Sequence, residues 1–179
     1  AKFLGFDIFI RRSNDLRKDI NGKTIRSLGH VPVLYLNYET MRKKLFDYKA
    51  ARIAVENGKE IWKSIVRTYM IDLDDLEIVS QFNAEIRGFY NYYSIANNSP
   101  AINSFYHIMS YSMYKTFARK YKSSVKKILF QYKKDGTFKV AYENSKGKTL
   151  YQSFYHDGFK RKKIAGATSC DTIPRTVTI

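Results

Sequence analysis

Apolar positions along this chain recur with two different periods, and the predicted elements change where the period does. The run Lys2-Phe3-Leu4-Gly5-Phe6-Asp7-Ile8-Phe9-Ile10 is densely apolar and aromatic, which predicts a well-buried strand. A buried strand needs sheet partners, so a chain that opens on one at Ala1 reads as the C-terminal part of something larger. Residues 13–30 are polar and rich in turn formers, Asn21-Gly22 above all, with Arg11, Arg12, Arg17, Lys18, Lys23 and Arg26 around them. Val31 to Leu36 predict a second strand. Asn37 then suits an N-cap for a helix from Tyr38 into the low fifties, with Met41, Leu45 and Tyr48 at helical spacing. Residues 53–70 fit neither period, and Gly58 is their only strong punctuation.

From Asp72 onward the pattern sharpens. Asp72 can cap a helix whose first turn carries Asp74, Asp75 and Glu77, acids where the helix dipole favours them. Leu76, Val79, Phe82, Ile86, Phe89, Tyr90 and Tyr93 form a wide apolar stripe reaching about Asn97. Asn98-Ser99-Pro100 predicts a break and a restart, with Ser99 as N-cap and Pro100 at the first helical position. Ile102, Phe105, Tyr106, Met109, Met113 and Phe117 carry that helix into a basic stretch ending near Tyr132. Thereafter the period falls to 2. Lys134-Asp135-Gly136 is a turn, Thr137 to Tyr142 a strand, Asn144 to Gly147 a loop and Lys148 to Tyr155 a return strand, with Asp157-Gly158 closing the hairpin. The segment from Lys160 to Ile179, containing Arg161, Lys162 and Lys163, reads as loop. The predicted fold class is α+β, mainly helical: a helical bundle flanked by N-terminal strands and a C-terminal β-hairpin.

Composition narrows the function. At 44% hydrophobic and 16% aromatic residues the chain is too apolar for a disordered basic tail. No apolar run approaches the ~20 residues of a membrane span, no signal peptide opens it, and no membrane partner is expected. One cysteine, Cys170, excludes an internal disulfide and a multi-cysteine zinc site. The net charge is +16, unevenly distributed: residues 1–90 hold 16 basic and 12 acidic side chains, residues 91–179 hold 16 and 4. Between Glu85 and Asp135 there is no acid, while Arg87, Lys115, Arg119, Lys120, Lys122, Lys126, Lys127, Lys133 and Lys134 all fall there. Solvated faces normally mix both signs, so this stretch points to a polyanionic partner.

Four groups of residues are candidates for chemistry. Asp72, Asp74, Asp75 and Glu77 could hold metal ions, but acids at a helix start need none. His30, His107 and His156 are scattered, without metal-ligand spacing. No phosphate-binding glycine loop or nucleophile elbow is present. Arg87-Gly88-Phe89-Tyr90-Asn91-Tyr92-Tyr93-Ser94 places a glycine in mid-helix, at a cost of roughly 1 kcal/mol relative to alanine. Gly88 would admit a second helix or a nucleic-acid backbone, and the excess tyrosines suit either a helix-pair rim or unstacked bases and phosphates. Finally, Lys115, Arg119, Lys122 and Lys126 fall at i, i+4, i+7 and i+11, opposite an apolar stripe of Phe117, Tyr121, Val125 and Ile128. Such a helix fits a phosphate backbone, a membrane surface or an acidic protein; the interleaved tyrosines favour RNA.

The segment Glu77-Ile78-Val79-Ser80-Gln81-Phe82-Asn83-Ala84-Glu85-Ile86-Arg87-Gly88-Phe89-Tyr90-Asn91-Tyr92-Tyr93, followed by Ser112-Met113-Tyr114-Lys115-Thr116-Phe117-Ala118-Arg119-Lys120, resembles the maturase (X, or thumb) domain of group II intron-encoded reverse transcriptases. Phe3-Leu4-Gly5-Phe6-Asp7-Ile8 is similar to the last block of their reverse-transcriptase domain. The resemblance implies residues 1–36 as the end of the palm with connecting strands, 37–134 as the thumb, and 135–179 as a basic hairpin and tail opening a DNA-binding region. It implies binding of group II intron RNA and promotion of its splicing, in a cytoplasmic or organellar ribonucleoprotein. Arg87, Asn91, Tyr92, Lys115, Arg119, Lys120, Lys122, Lys126 and Lys127 are the expected RNA contacts. Other implied partners are a template–primer duplex, target DNA and the fingers and palm of the parent protein. The alternatives are the thumb of an assembled polymerase and a non-specific basic scaffold. No Tyr-Ala-Asp-Asp block and no HNH pattern occurs in these residues, so no catalytic residue or cofactor is expected in them. Magnesium is expected for the parent polymerase and for the catalytic RNA.

Overall fold

A computed structural model describes residues 1–11, 16–26 and 31–162. Arg12, His30, Lys163 and Cys170 lie outside the described residues, as does most of the predicted tail.

The N-terminal run is a hairpin instead of one buried strand. Strands β1 (Lys2–Phe3) and β2 (Phe6–Arg11) are joined by Leu4-Gly5, both at positive φ. Gly5 is required there: its φ is +80°, and a Cβ would meet the Tyr93 hydroxyl at 2.5 Å. Phe6 is buried against Tyr92 and Tyr93, while Phe3, Leu4, Phe9 and Ile10 stay exposed on both faces of the sheet. Two short strands follow, β3 (Leu16–Lys18) and β4 (Thr24–Arg26), closed by the turn at Asn21-Gly22. Strand β5 (Val31–Leu36) pairs antiparallel with β2 to complete a three-stranded sheet ordered β1-β2-β5.

Helix α1 (Tyr38–Asp47) starts where expected, because the Asn37 side chain accepts from the Glu39 N–H at 2.7 Å. It stops several residues before the predicted end. Lys49 at φ 51° turns the chain into β6 (Ala51–Glu56), which pairs with β7 (Lys59–Ser64) through Asn57-Gly58. The ambiguous stretch is therefore mostly a hairpin.

Helix α2 (Asp75–Tyr93) begins later than Asp72. Asp74 is the N-cap, reciprocated by Glu77 in a capping box. Its buried face carries Ile78, Val79, Phe82, Ile86, Phe89 and Tyr93. Asn97 and Asn98 end the following turn by pairing with the free edge of β5: Leu34 N–H donates to Asn97 Oδ1 at 3.1 Å and Leu36 N–H to Asn98 Oδ1 at 2.7 Å. Ser99 lies within a 3₁₀ turn and gives its hydroxyl to the Phe159 carbonyl, so it does not cap the next helix. Helix α3 (Ile102–Lys120) packs on α2, with Phe89 and Phe105 stacked at 4.2 Å between ring centres.

The long basic helix expected to reach Tyr132 is two helices. Lys122 adopts φ 46°, and the Ser123 N–H bonds back to the Ala118 carbonyl at 2.8 Å, closing α3 in a left-handed cap. Helix α4 (Val125–Tyr132) restarts from Ser124, whose hydroxyl accepts from the Lys127 N–H. Strands β8 (Lys133–Lys134), β9 (Thr137–Glu143) and β10 (Thr149–Ser153) form the last sheet. Asp135-Gly136 makes its first turn and residues 144–148 its second, both where predicted; β10 ends at Ser153, short of Tyr155, and Asp157-Gly158 lies beyond the paired strands. Asn83 on α2 ties this sheet down, donating to the Ser153 carbonyl at 2.9 Å and accepting from the Tyr155 N–H at 2.8 Å. The result is mixed α+β, with α2 and α3 at the centre of one core. Among the described residues no helix is long and apolar enough to cross a membrane.

Candidate nucleic-acid interface

Three of the four acids around the start of α2, Asp74, Asp75 and Glu77, are occupied in the fold. Asp74 caps the helix, and Asp75 takes the Lys120 ammonium at 2.7 Å together with the hydroxyls of Tyr121 and Tyr132. Burial, the bond to Tyr121 and the bond to the Asp75 carboxylate hold the Tyr132 hydroxyl well above the usual tyrosine range. Among the described residues no three or more His, Cys, Asp or Glu side chains are placed to hold a metal ion.

The same geometry removes Lys120 from the free cations: its ammonium is held between Asp75 and the Leu73 carbonyl and is mostly buried. Lys115 is partly committed as well. The extended segment Ser64-Ile65-Val66-Arg67 runs along α3, which satisfies its backbone through side chains. Lys115 Nζ donates to the Ser64 carbonyl at 2.7 Å, and Ser112 Oγ to the Ile65 carbonyl at 2.7 Å. The Arg67 N–H donates to Thr116 Oγ1 at 3.1 Å. Sequence reasoning gave no role to Arg67, yet its side chain is wholly buried. It pairs with Glu85 at 2.7 Å and lies 4.0 Å over the centre of the Phe82 ring. A lone arginine between Val66 and Thr68 carries no pattern that distinguishes it from a solvent-facing one.

Because α3 and α4 are separate, Lys115, Arg119, Lys122 and Lys126 do not form a single helical stripe. Lys115, Arg119, Lys120 and Lys122 nevertheless line one groove of about 650 Å³, floored by Val66, Ile71, Ala118 and Val125. Lys126 and Lys127 line the next groove along α4, with Lys133. Arg119, Lys122, Lys126 and Lys127 are exposed, and none has an acidic partner among the described residues. The apolar face of α4, with Val125, Ile128, Leu129 and Tyr132, is packed into the core, which leaves it no broad apolar surface for a membrane.

The α2 candidates divide. Arg87 and Asn91 line a smaller groove of about 350 Å³ with Tyr90, Tyr155 and Lys162, and Asn91 Oδ1 accepts from Lys162 Nζ at 3.2 Å. Tyr92 turns elsewhere: its hydroxyl donates to the Leu4 carbonyl at 3.0 Å and its ring stacks on Phe6. Gly88 is exposed with nothing within 4 Å of an added Cβ, so among the described residues no second helix approaches it.

A third basic surface was not foreseen. Arg52, Lys63 and Lys115 surround Trp62, His107 and Tyr111 where the β6–β7 hairpin meets α3, and Trp62 stacks on Tyr38 at 4.1 Å. Asn57-Gly58 is the turn signal that identifies this hairpin.

Comparison with known proteins finds relatives over most of the chain. The family pattern for type II intron maturases matches residues 35–167. The group II intron-encoded protein LtrA of Lactococcus lactis subsp. cremoris is 36% identical over 149 residues, as is the same protein from strain MG1363. Those residues are 83% of this chain and 24% of LtrA, so the chain spans about a quarter of that relative. With the match covering most of its length, this chain belongs to the type II intron maturase family.

Proposed function

We propose that this chain is an RNA-binding maturase module that binds group II intron RNA, steadies its active fold and leaves the splicing chemistry to the RNA. The observation that carries the proposal is the row Arg119, Lys122, Lys126 and Lys127. These are four exposed cations without acidic partners among the described residues, held across α3, its left-handed cap and α4 within the family-matched region. A folded protein that leaves such a row unneutralised gains when a phosphate backbone displaces its counterions onto it. The Lys115 ammonium lines the same groove as Arg119 and Lys122, and Arg87 and Asn91, in their separate groove on α2, fit further phosphate or sugar contacts. The exposed apolar side chains of the β1-β2-β5 sheet, Phe3, Phe9 and Ile10, support an adjoining segment of a longer parent protein as a second partner.

The test is competition between the intron RNA and an unrelated structured RNA of equal length, over several salt concentrations. Maturase recognition requires that preference for the intron survive at high salt, where non-specific binding fades. Arg119→Ala and Lys122→Ala should each lower affinity for both RNAs and reduce the salt slope by about one. Unchanged affinity and slope in both variants would overturn the assignment of the row.

A further inference from the structure

Helix α4 leaves one large apolar side chain in water. Val125, Ile128, Leu129 and Tyr132 face the core, whereas Phe130 is 92% exposed. It borders a groove of about 910 Å³ whose other lining residues are Ser124, Lys126, Lys127, Leu129, Lys133 and Gly136. Among the described residues no aromatic ring or cation lies against either face of Phe130, in contrast to the stacked pairs Tyr38–Trp62 and Tyr132–Phe138. The nearest acid in sequence, Asp135, is engaged by Lys139 at 3.1 Å. Beyond it Lys134 lies 5.2 Å over Tyr151, a second exposed aromatic on the same sheet.

An exposed phenylalanine by itself is unremarked on protein surfaces. Its ring of lysines is what restricts the occupant. An apolar peptide covering Phe130 would have to bury three ammonium groups without counter-charge. A bilayer could supply anionic headgroups but would find a single exposed ring, because Val125, Ile128, Leu129 and Tyr132 are packed into the core. A paired RNA helix would offer phosphates but no free base face. An unpaired strand offers both, a π-face for the ring and phosphates at its flanks. We propose that Phe130 is a stacking platform for an unpaired base of bound RNA, with Lys126, Lys127 and Lys133 holding the neighbouring phosphates. The inference rests on the RNA-binding reading above and adds single-strandedness to it.

Affinities of the 179-residue chain for a single-stranded oligouridylate and for a fully paired RNA duplex, measured against salt, test it. Phe130→Ala should weaken single-strand binding on the order of tenfold, with an unchanged salt slope because no charge is removed. Duplex affinity should be unaltered. Phe130→Trp should restore single-strand affinity, and its emission should be quenched by the oligouridylate and not by the duplex, over the constant background of Trp62. Wild-type single-strand affinity in Phe130→Ala, or equal losses on strand and duplex, would overturn the platform while leaving the basic row standing. A change of oligomeric state without a change in RNA affinity would assign Phe130 to a protein contact. A wild-type chain that binds no RNA at low salt would overturn both readings.

Discussion

Lys122 occupies a backbone conformation that L-residues avoid, and glycine is the usual occupant of such helix caps. Left-handed geometry costs a side-chain-bearing residue roughly 1–2 kcal/mol, part of which glycine returns through its larger unfolded-state entropy. Lys122→Gly should therefore raise stability by about 0.5–1 kcal/mol in urea denaturation while weakening RNA binding and lowering its salt slope by about one. Lys120 should behave in the opposite way. Its ammonium serves Asp75 and Leu73, so Lys120→Met should cost about 1–3 kcal/mol of stability and leave the salt slope intact. Equal loss of slope in both variants would mean that the Asp75 pair opens when RNA binds. The buried pair Arg67–Glu85 follows a third rule, because each charge is tolerable only beside the other. Arg67→Met alone should destabilise by about 3–5 kcal/mol, and adding Glu85→Leu should recover much of that loss in a double-mutant cycle.

At the scale of elements, α3 is where core and surface meet, and Tyr114 records how tightly. Burial, then the neighbouring Tyr106 and Tyr111, push its hydroxyl up to about 12 from the usual 10.0. The unfolded chain thus loses this proton first. The stabilising difference is complete below pH 10 and disappears as pH rises toward 12. Urea midpoints should fall across that window, and Tyr114→Phe should make the fall shallower; a parallel fall in both proteins would place the effect elsewhere. The helices themselves were legible because their apolar positions keep the 3.6 period, as Phe82, Ile86 and Phe89 do on α2 and Phe105, Met109 and Met113 on α3. The break after Lys120 was not legible. Tyr121-Lys122-Ser123-Ser124 contains neither glycine nor proline, and its apolar spacing runs on through Val125 and Ile128. The basic residues were likewise visible as charges, but the commitment of Lys120 depends on Asp75, forty-five positions earlier, which no local pattern reveals. Phe130 was hidden for the converse reason: beside Ile128 and Leu129 it reads as core.

For the whole molecule, charge sets two opposing responses to salt. A net +16, concentrated after Glu85, repels itself in the free chain, and screening over about 10 Å at 0.1 M relieves that repulsion. Salt also weakens the exposed ion pairs, such as Lys2–Glu39 and Arg42–Glu60, but each of these contributes about 0–1 kcal/mol at most. Repulsion among unpaired cations should win, so the melting temperature of the free chain should rise as salt is added. Bound RNA stabilises in proportion to the logarithm of its concentration over Kd, and Kd increases steeply with salt. The complex should therefore melt highest at low salt and fall as salt is added, until the two curves meet where binding is lost. Thermal denaturation with and without saturating RNA, at matched salt, measures both limbs. A free chain whose melting temperature falls with salt would mean that pairs inside the fold, and not the exposed row from Arg119 to Lys127, dominate its electrostatics. The row would then have no surplus charge to offer a phosphate backbone.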